Sequence, residues 1–228
     1  FRSKRRMIMT KSYNTGRHTK QQILQTSTHL FYEQGIQETT FDHICEKADI
    51  NRAMIAYYFK NKDSLSIAVY EEVWSGISRI LWQILTSLEP EIRHYAYFFF
   101  SHHLLIDSHY ARFLMELHCH HFHNQKIIEG KKLFWKSITD KHCEINQKDL
   151  SILFQMDCGI EKEIIQMMYH QPDIAYCNHI VSMELFMILG YIGYKKEEIQ
   201  SLIDRTLKSI CHYELKIEND FKLLVEKI

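Results

Sequence analysis

The chain has 228 residues, 25% of them charged, with 28 Lys and Arg balancing 28 Asp and Glu, and only 2 Pro and 7 Gly. A chain of this length buries roughly 70% of the surface it exposes when unfolded, enough for one large domain or two small ones. No long uncharged apolar run suggests a membrane span, and no apolar leader with a cleavage site stands at the start. The 6 scattered cysteines form no C-x-x-C pair, which points to reduced thiols in the cytoplasm.

The neutral total hides an uneven distribution. Up to Lys62 eleven basic residues stand against five acidic ones, a net +6, so the remainder carries −6. A basic head on an acidic body suits a domain that meets a polyanion. Residues 1–16 are basic and aperiodic and read as a disordered arm, available for phosphate contacts, or as an upstream extension; Met7 or Met9 could serve as the start. Thr19-Lys20-Gln21-Gln22 has the form of a capping box. It opens a first helix with Ile23, Ser27, Leu30 and Phe31 inward and Gly35 at its end.

Thr39 or Thr40 caps a second helix, in which Phe41, Ile44, Cys45 and Ala48 form one apolar face. Asp49-Ile50-Asn51 forms a turn, and Asn51 caps a third helix with Ile55 and Phe59 on one side. Two short helices joined by a three-residue turn are the helix-turn-helix arrangement, whose second helix enters a major groove. A fourth helix begins near Asn61-Lys62-Asp63 and runs to about Leu88, with Gly76 marking close packing or a bend. Further helices are expected over 90–106, with Pro90 in the first turn, from the Asp107-Ser108 cap to about Leu117, and over 124–144. Lys148 to His170 forms another, with Gly159 as a weak point, until Pro172-Asp173 breaks it. One more runs from Ile174 to Leu189 and ends at Gly190 and Gly193, and a last helix or two fills 195–228. Without a convincing strand alternation the expected fold class is all-α.

The run from Ile50 to Leu65, INRAMIAYYFKNKDSL, resembles the signature of TetR-family transcriptional regulators, V-S-x-G-T-L-Y-x-Y-F-x-S-K-E-x-L. Ile50, Asn51, Ile55, Tyr58-Phe59, Lys62, Asp63 and Leu65 carry the match, and the upstream pattern from Ile23 to Ala48 fits. Ala53, Met54 and Ala56 depart from it at positions where that family touches bases, which leaves the operator sequence open. The resemblance implies three parts: the arm 1–16, a helix-turn-helix DNA-binding domain over 17–77, and a helical ligand-binding and dimerisation domain over 78–228. It implies phosphate contacts at Thr39, Thr40, Tyr58 and Lys62, and base-facing positions at Arg52, Ala53, Met54, Ala56 and Tyr57. The partners it implies are a double-stranded DNA operator, a second copy of the chain and a small-molecule effector, with no membrane and no cofactor. Dimers of the family pair two C-terminal helices into a four-helix bundle. Here the stripes Leu150, Leu153, Phe154, Ile164, Met167, Met168 and Ile180, Met183, Leu185, Met187, Ile188 are the candidates, or else internal core.

In the body, Trp82, Phe99, His102, Phe113 and Trp135 are candidates for an effector pocket, since apolar rings with a few polar groups make such pockets; ordinary core packing is the alternative. Eight of the 15 histidines fall between 94 and 123. Among them His118, Cys119, His121 and His123 have spacings that suit zinc, copper or nickel, though histidine is frequent along the whole chain. A metal-responsive regulator using that cluster is one alternative, and a DNA-bound scaffold with a protein partner is another. No P-loop, G-x-S-x-G, H-E-x-x-H or dinucleotide fingerprint occurs, so an enzyme is not expected.

Overall fold

The computed structural model describes residues 2–121, 135–136 and 147–228, side chains excepted at 2–15, 119–121, 147, 149 and 150. Among these residues the chain forms nine α-helices and one β-hairpin: α1 (Arg2–Glu38), α2 (Phe41–Ala48), α3 (Arg52–Tyr58), α4 (Lys62–Leu85), α5 (Arg93–His103), α6 (Ser108–His121), α7 (Gln147–His170), α8 (Ile174–Tyr191), α9 (Lys196–Ile210), β1 (Tyr213–Glu218) and β2 (Lys222–Lys227). A 3-10 turn, Leu104–Ile106, separates α5 from α6. The expected helix over 124–144 lies outside the described residues except for the helical pair 135–136.

Head and body share one continuous apolar core, from Ile23 in α1 to Leu223 in β2. The fourth helix carries it across the junction, because Leu65, Val69, Val73, Ile77, Leu81 and Leu85 recur at helical spacing and all are buried. Two polar anchors on α6 add to this joint. Arg112 Nη2 donates to Tyr32 O at 2.6 Å and to Glu33 O at 3.2 Å, closing the end of the first helix. Glu116 Oε2 accepts the N–H groups of Ile36 and Gln37, the latter at 3.0 Å. These orphan amides become available because Gly35 breaks the helix at φ 89°. A Cβ at Gly35 would stand 2.8 Å from Glu116 Oε1, so the position needs glycine for its torsion and for its space.

Several expectations need correction. The first helix does not start at Thr19; it extends back to Arg2 through the arm expected to be disordered, and Thr19 lies buried within it. Pro90 precedes the fifth helix in a turn, since α5 starts at Arg93. Gly76 and Gly159 mark neither bends nor tight contacts: their helices run through unbroken, and a Cβ at either would meet nothing within 4 Å.

The last segment is not helical beyond Ile210. Tyr213-Glu-Leu-Lys-Ile-Glu218 alternates with period two and pairs antiparallel with β2, from Tyr213 opposite Lys227 to Glu218 opposite Lys222. The hairpin tip is wedged against the head. Phe221 is buried 4.6 Å from the Phe113 ring and edge-on to Tyr32 at 5.2 Å, while Asp220 Oδ1 meets His29 Nδ1 at 2.8 Å. Asp220 and Phe221 both take left-handed torsions, φ 60° and 58°. Phe is strained there, and burial of its ring among three aromatic neighbours, Tyr32, Tyr110 and Phe113, offsets the cost.

The two candidate dimer stripes divide between core and surface. Leu153, Phe154, Ile164 and Met168 of α7 and Leu185 and Ile188 of α8 are buried, and Ile180 is half-buried. Leu150 lies outside the described side chains. Met167 is exposed, as are Met183 at 53% and Met187 at 51%, and Met156 and Tyr191 extend the same kind of surface. By length and composition alone α8 is apolar enough to cross a membrane, although its run is neither uncharged nor wholly apolar, and one third of it is buried inside the fold. It carries a buried glutamate, Glu184, and five buried apolar residues that pack in the core.

Candidate nucleic-acid interface and the cavity of the body

Local rules build the head. Thr40 caps α2: its hydroxyl accepts the His43 N–H at 3.2 Å, and His43 Nδ1 accepts the Thr40 N–H at 3.4 Å, a capping box with histidine in the usual Glu position. The chain leaves α2 through Asp49 in the left-handed region, φ 50°, which aspartate tolerates better than most residues. Asn51 Oδ1 then accepts the Met54 N–H at 3.0 Å and starts α3.

Within α3 only Ile55 is buried. The base-facing candidates Arg52, Ala53, Met54, Ala56 and Tyr57 are all exposed, Tyr57 at 81%. One buried isoleucine and the neighbouring Phe59 anchor the helix, so its other side chains are left for something outside the chain. Arg52 Nη1 lies 3.0 Å from Asp42 Oδ1, with the guanidinium 5.8 Å above the Phe41 ring. An exposed pair of this kind contributes little, so the side chain can exchange Asp42 for another acceptor.

The phosphate candidates separate. Thr39 does not fit: it is fully buried, and its Oγ1 donates to Gly35 O at 2.7 Å. Thr40 is exposed at the N-terminus of α2. Lys62 Nζ donates to Gln37 O at 2.9 Å, which holds an ammonium near the segment that enters α2. Tyr58 is half-buried; a Cβ at Gly16 of α1 would lie 3.0 Å from its hydroxyl.

The body contains a cavity of about 580 Å³ between α4, α5, α6 and α7. Of the pocket candidates, Trp82, His102 and Trp135 line it; Phe99 and Phe113 do not, being fully buried core residues. The rings interlock: Trp82 stacks on Tyr97 at 5.0 Å, Trp74 meets Tyr97 edge-on at 6.1 Å, and Phe98 meets Trp135 at 5.5 Å. The sequence reading missed the polar lining. Glu71, Ser75, Ser78 and Arg79 come from a second face of α4, beside its buried stripe, and Asp157 and Glu161 from α7. Their signal was helical spacing: positions 71, 75, 78 and 82, like 157, 161 and 165, each recur on one helical face.

His102 Nδ1 lies 2.8 Å from Phe98 O, and His118 Nδ1 lies 2.8 Å from Leu114 O. A carbonyl only accepts, so each Nδ1 carries a proton, and Nε2 of the neutral ring is an acceptor. For His118 that Nε2 stands 3.7 Å from Glu161 Oε2. Burial pushes the phenols of Tyr97 and Tyr110 up, Tyr110 well above its ordinary value, so both rings stay neutral. Of the metal-ligand candidates, His118 is in the cavity wall; the side chains of Cys119 and His121 and all of His123 lie outside the described residues. Among the described residues no three His, Cys, Asp or Glu side chains converge as a metal site.

Comparison with known proteins agrees with the head. Residues 23–69 match the family described as bacterial regulatory proteins, tetR family. The chain is 36% identical over 63 residues to the probable HTH-type transcriptional regulator YttP of Bacillus subtilis (strain 168), a stretch covering 28% of this chain and 30% of that protein. The chain thus matches under a third of that relative's length. A solved TetR-like transcriptional regulator from Rhodococcus sp. RHA1 aligns with 75% of this chain and 96% of its own, at 16% identity and a TM-score of 0.41. Residues 23–69 thus form a helix-turn-helix domain of the tetR family of bacterial regulatory proteins.

Proposed function

We propose that the chain is a cytoplasmic, homodimeric transcriptional repressor that binds operator DNA through α3 and releases it when a small molecule enters the cavity of the body. The head spans 17–77 and the body 78–228. The observation that carries this reading is α3 itself, which keeps a single residue, Ile55, in the core. Its exposed side chains suit base edges, and Thr40, Tyr58 and Lys62 supply positions for phosphates on either side. Two heads must stand about 34–36 Å apart to meet adjacent major grooves on one face of DNA. The exposed methionines of α7 and α8 offer an apolar joint for the second copy.

The link between cavity and head runs through α6. Tyr110, Leu114 and His118, four residues apart, line the cavity, while Arg112 and Glu116 hold the end of α1 from another face of the same helix. A ligand that favours one position of α6 therefore favours one position of the head, by no more than its difference in affinity for the two states. The test is selection from a random DNA pool. The full chain should enrich a palindromic sequence with two half-sites about one helical turn apart. Retention of DNA without an enriched sequence would overturn operator reading.

A further inference from the structure

The C-terminal hairpin reaches from the body to the head. At its open end Tyr213 meets Phe100 of α5 edge-on at 5.9 Å, and its hydroxyl lies 3.4 Å from Ser87 Oγ just past α4. The Ile228 N–H donates to His212 O at 2.8 Å and closes the ladder. Strands of six residues span about 20 Å, and at the far end Phe221 reaches the seam between α1 and α6. Its ring packs on Tyr32 of α1 at 5.2 Å, and on Phe113 and Tyr110 of α6 at 4.6 and 6.2 Å. Beside it Asp220 Oδ1 meets His29 Nδ1 of α1 at 2.8 Å. A two-stranded hairpin is marginally stable alone, so these anchors at both ends are what hold it in place.

Resting on the reading of the chain as a pair of heads on one operator, we propose that Phe221 is a positioning residue for DNA binding. It is a wedge that sets how α1 lies on α6, and with it the angle of the head on the body. The tip holds a phenylalanine at φ 58°, a torsion that glycine adopts without strain, so the ring is what the position requires. The placement of its contacts supplies the leverage. Glu116 of α6 holds the amides of Ile36 and Gln37, whereas the tip meets α1 at His29 and Tyr32, His29 being about two helical turns earlier than Ile36. One grip on a helix leaves a pivot; two grips separated along it fix a direction. Two heads on one face of DNA need a fixed direction, because their separation has to match the groove repeat.

The test separates this role from mere filling of the core. Selection from DNA pools with the two half-sites at every spacing up to one helical turn reads head geometry, since each added base pair turns one half-site by about 34° against the other. Wild type should prefer one spacing about tenfold over its neighbours. Phe221→Ala should lower that preference to threefold or less and leave the half-site sequence unchanged. Ile203→Ala, a truncation in the buried face of α9, should lose stability and keep the spacing sharp. Hydrogen exchange of the full chain without DNA gives a second reading. In Phe221→Ala the Ile36 and Gln37 amides should exchange at least tenfold faster relative to that of Ile164 in α7, and in Ile203→Ala they should not. Phe221→Leu takes the place of Phe221→Ala if circular dichroism shows the latter unfolded. A spacing preference as sharp in the Phe221 variant as in wild type, equal broadening by Ile203→Ala, or unchanged exchange at Ile36 and Gln37 would overturn the wedge. A wild type that enriches no two-part site would overturn the operator reading instead, and exchange would still decide whether Phe221 holds the head.

Discussion

In the head, the outward residues of α3 all fall within seven consecutive positions, whereas the cavity of the body gathers its charges from positions as distant as Glu71 and Glu161. The first site has its geometry set by caps and a turn within a few residues: Thr40, Asp49 and Asn51. The second exists only once four helices have packed. A contiguous surface can be carried rigidly to a ligand as flat and regular as DNA. A dispersed one changes when any of its helices shifts, which suits a site that must report occupancy. Both meet at α6, whose Arg112 and Glu116 grip the main chain just ahead of α2.

The largest expected effect falls on the joint proposed between two copies of the chain. Met183→Asp with Met187→Asp places charges on a surface that is exposed in the single chain and would be closed in the proposed dimer, at a cost of several kcal/mol to association. Sedimentation should show a folded monomer with circular dichroism like wild type. A dimer that persists moves the joint elsewhere.

Next comes the contact between the regions. Gly35→Ala forces a side chain into left-handed torsion and against Glu116, and should cost about 1–3 kcal/mol in denaturant unfolding. An unchanged midpoint would mean that the α1–α6 joint yields without strain. Smaller still is Lys62→Ala, which sharpens the head alone: affinity should fall alike for all sequences, and the salt slope by about one. Loss confined to one sequence would reassign Lys62 to base reading. Smallest is Gly76→Ala in the open middle of α4, expected to stabilise by about 0.5–1 kcal/mol, since helix propensity improves and nothing obstructs the methyl group. A destabilised variant would mean that α4 must bend there.

The head was legible in the sequence because its signals are local. Caps precede apolar residues by fixed offsets, and the run from Ile50 to Leu65 keeps them in register. Thr39 was misread because a hydroxyl beside Thr40 looks equivalent in sequence, yet one faces Gly35 O and the other the solvent. The helix ends at Asp173 and Gly193 were legible for the same local reasons. The carboxylates of the cavity were not, because Glu71 and Asp157 look like surface residues until the opposite helix is in place. The hairpin was missed although its alternation is plain from Tyr213 to Glu218. Its length is short, its charges resemble those of an amphipathic helix, and the burial of Phe221 that fixes it comes from α1 and α6, far away in sequence.

The measurement that bears most directly on the head is a paired operator selection with wild type and Arg52→Ala. Arg52 is the one charged residue that α3 presents, and a guanidinium suits the paired acceptors of guanine, worth ~1–3 kcal/mol of discrimination. Base reading by α3 predicts that the variant keeps the half-site spacing and becomes tolerant at one base pair in each half-site. An identical consensus from both proteins would contradict it.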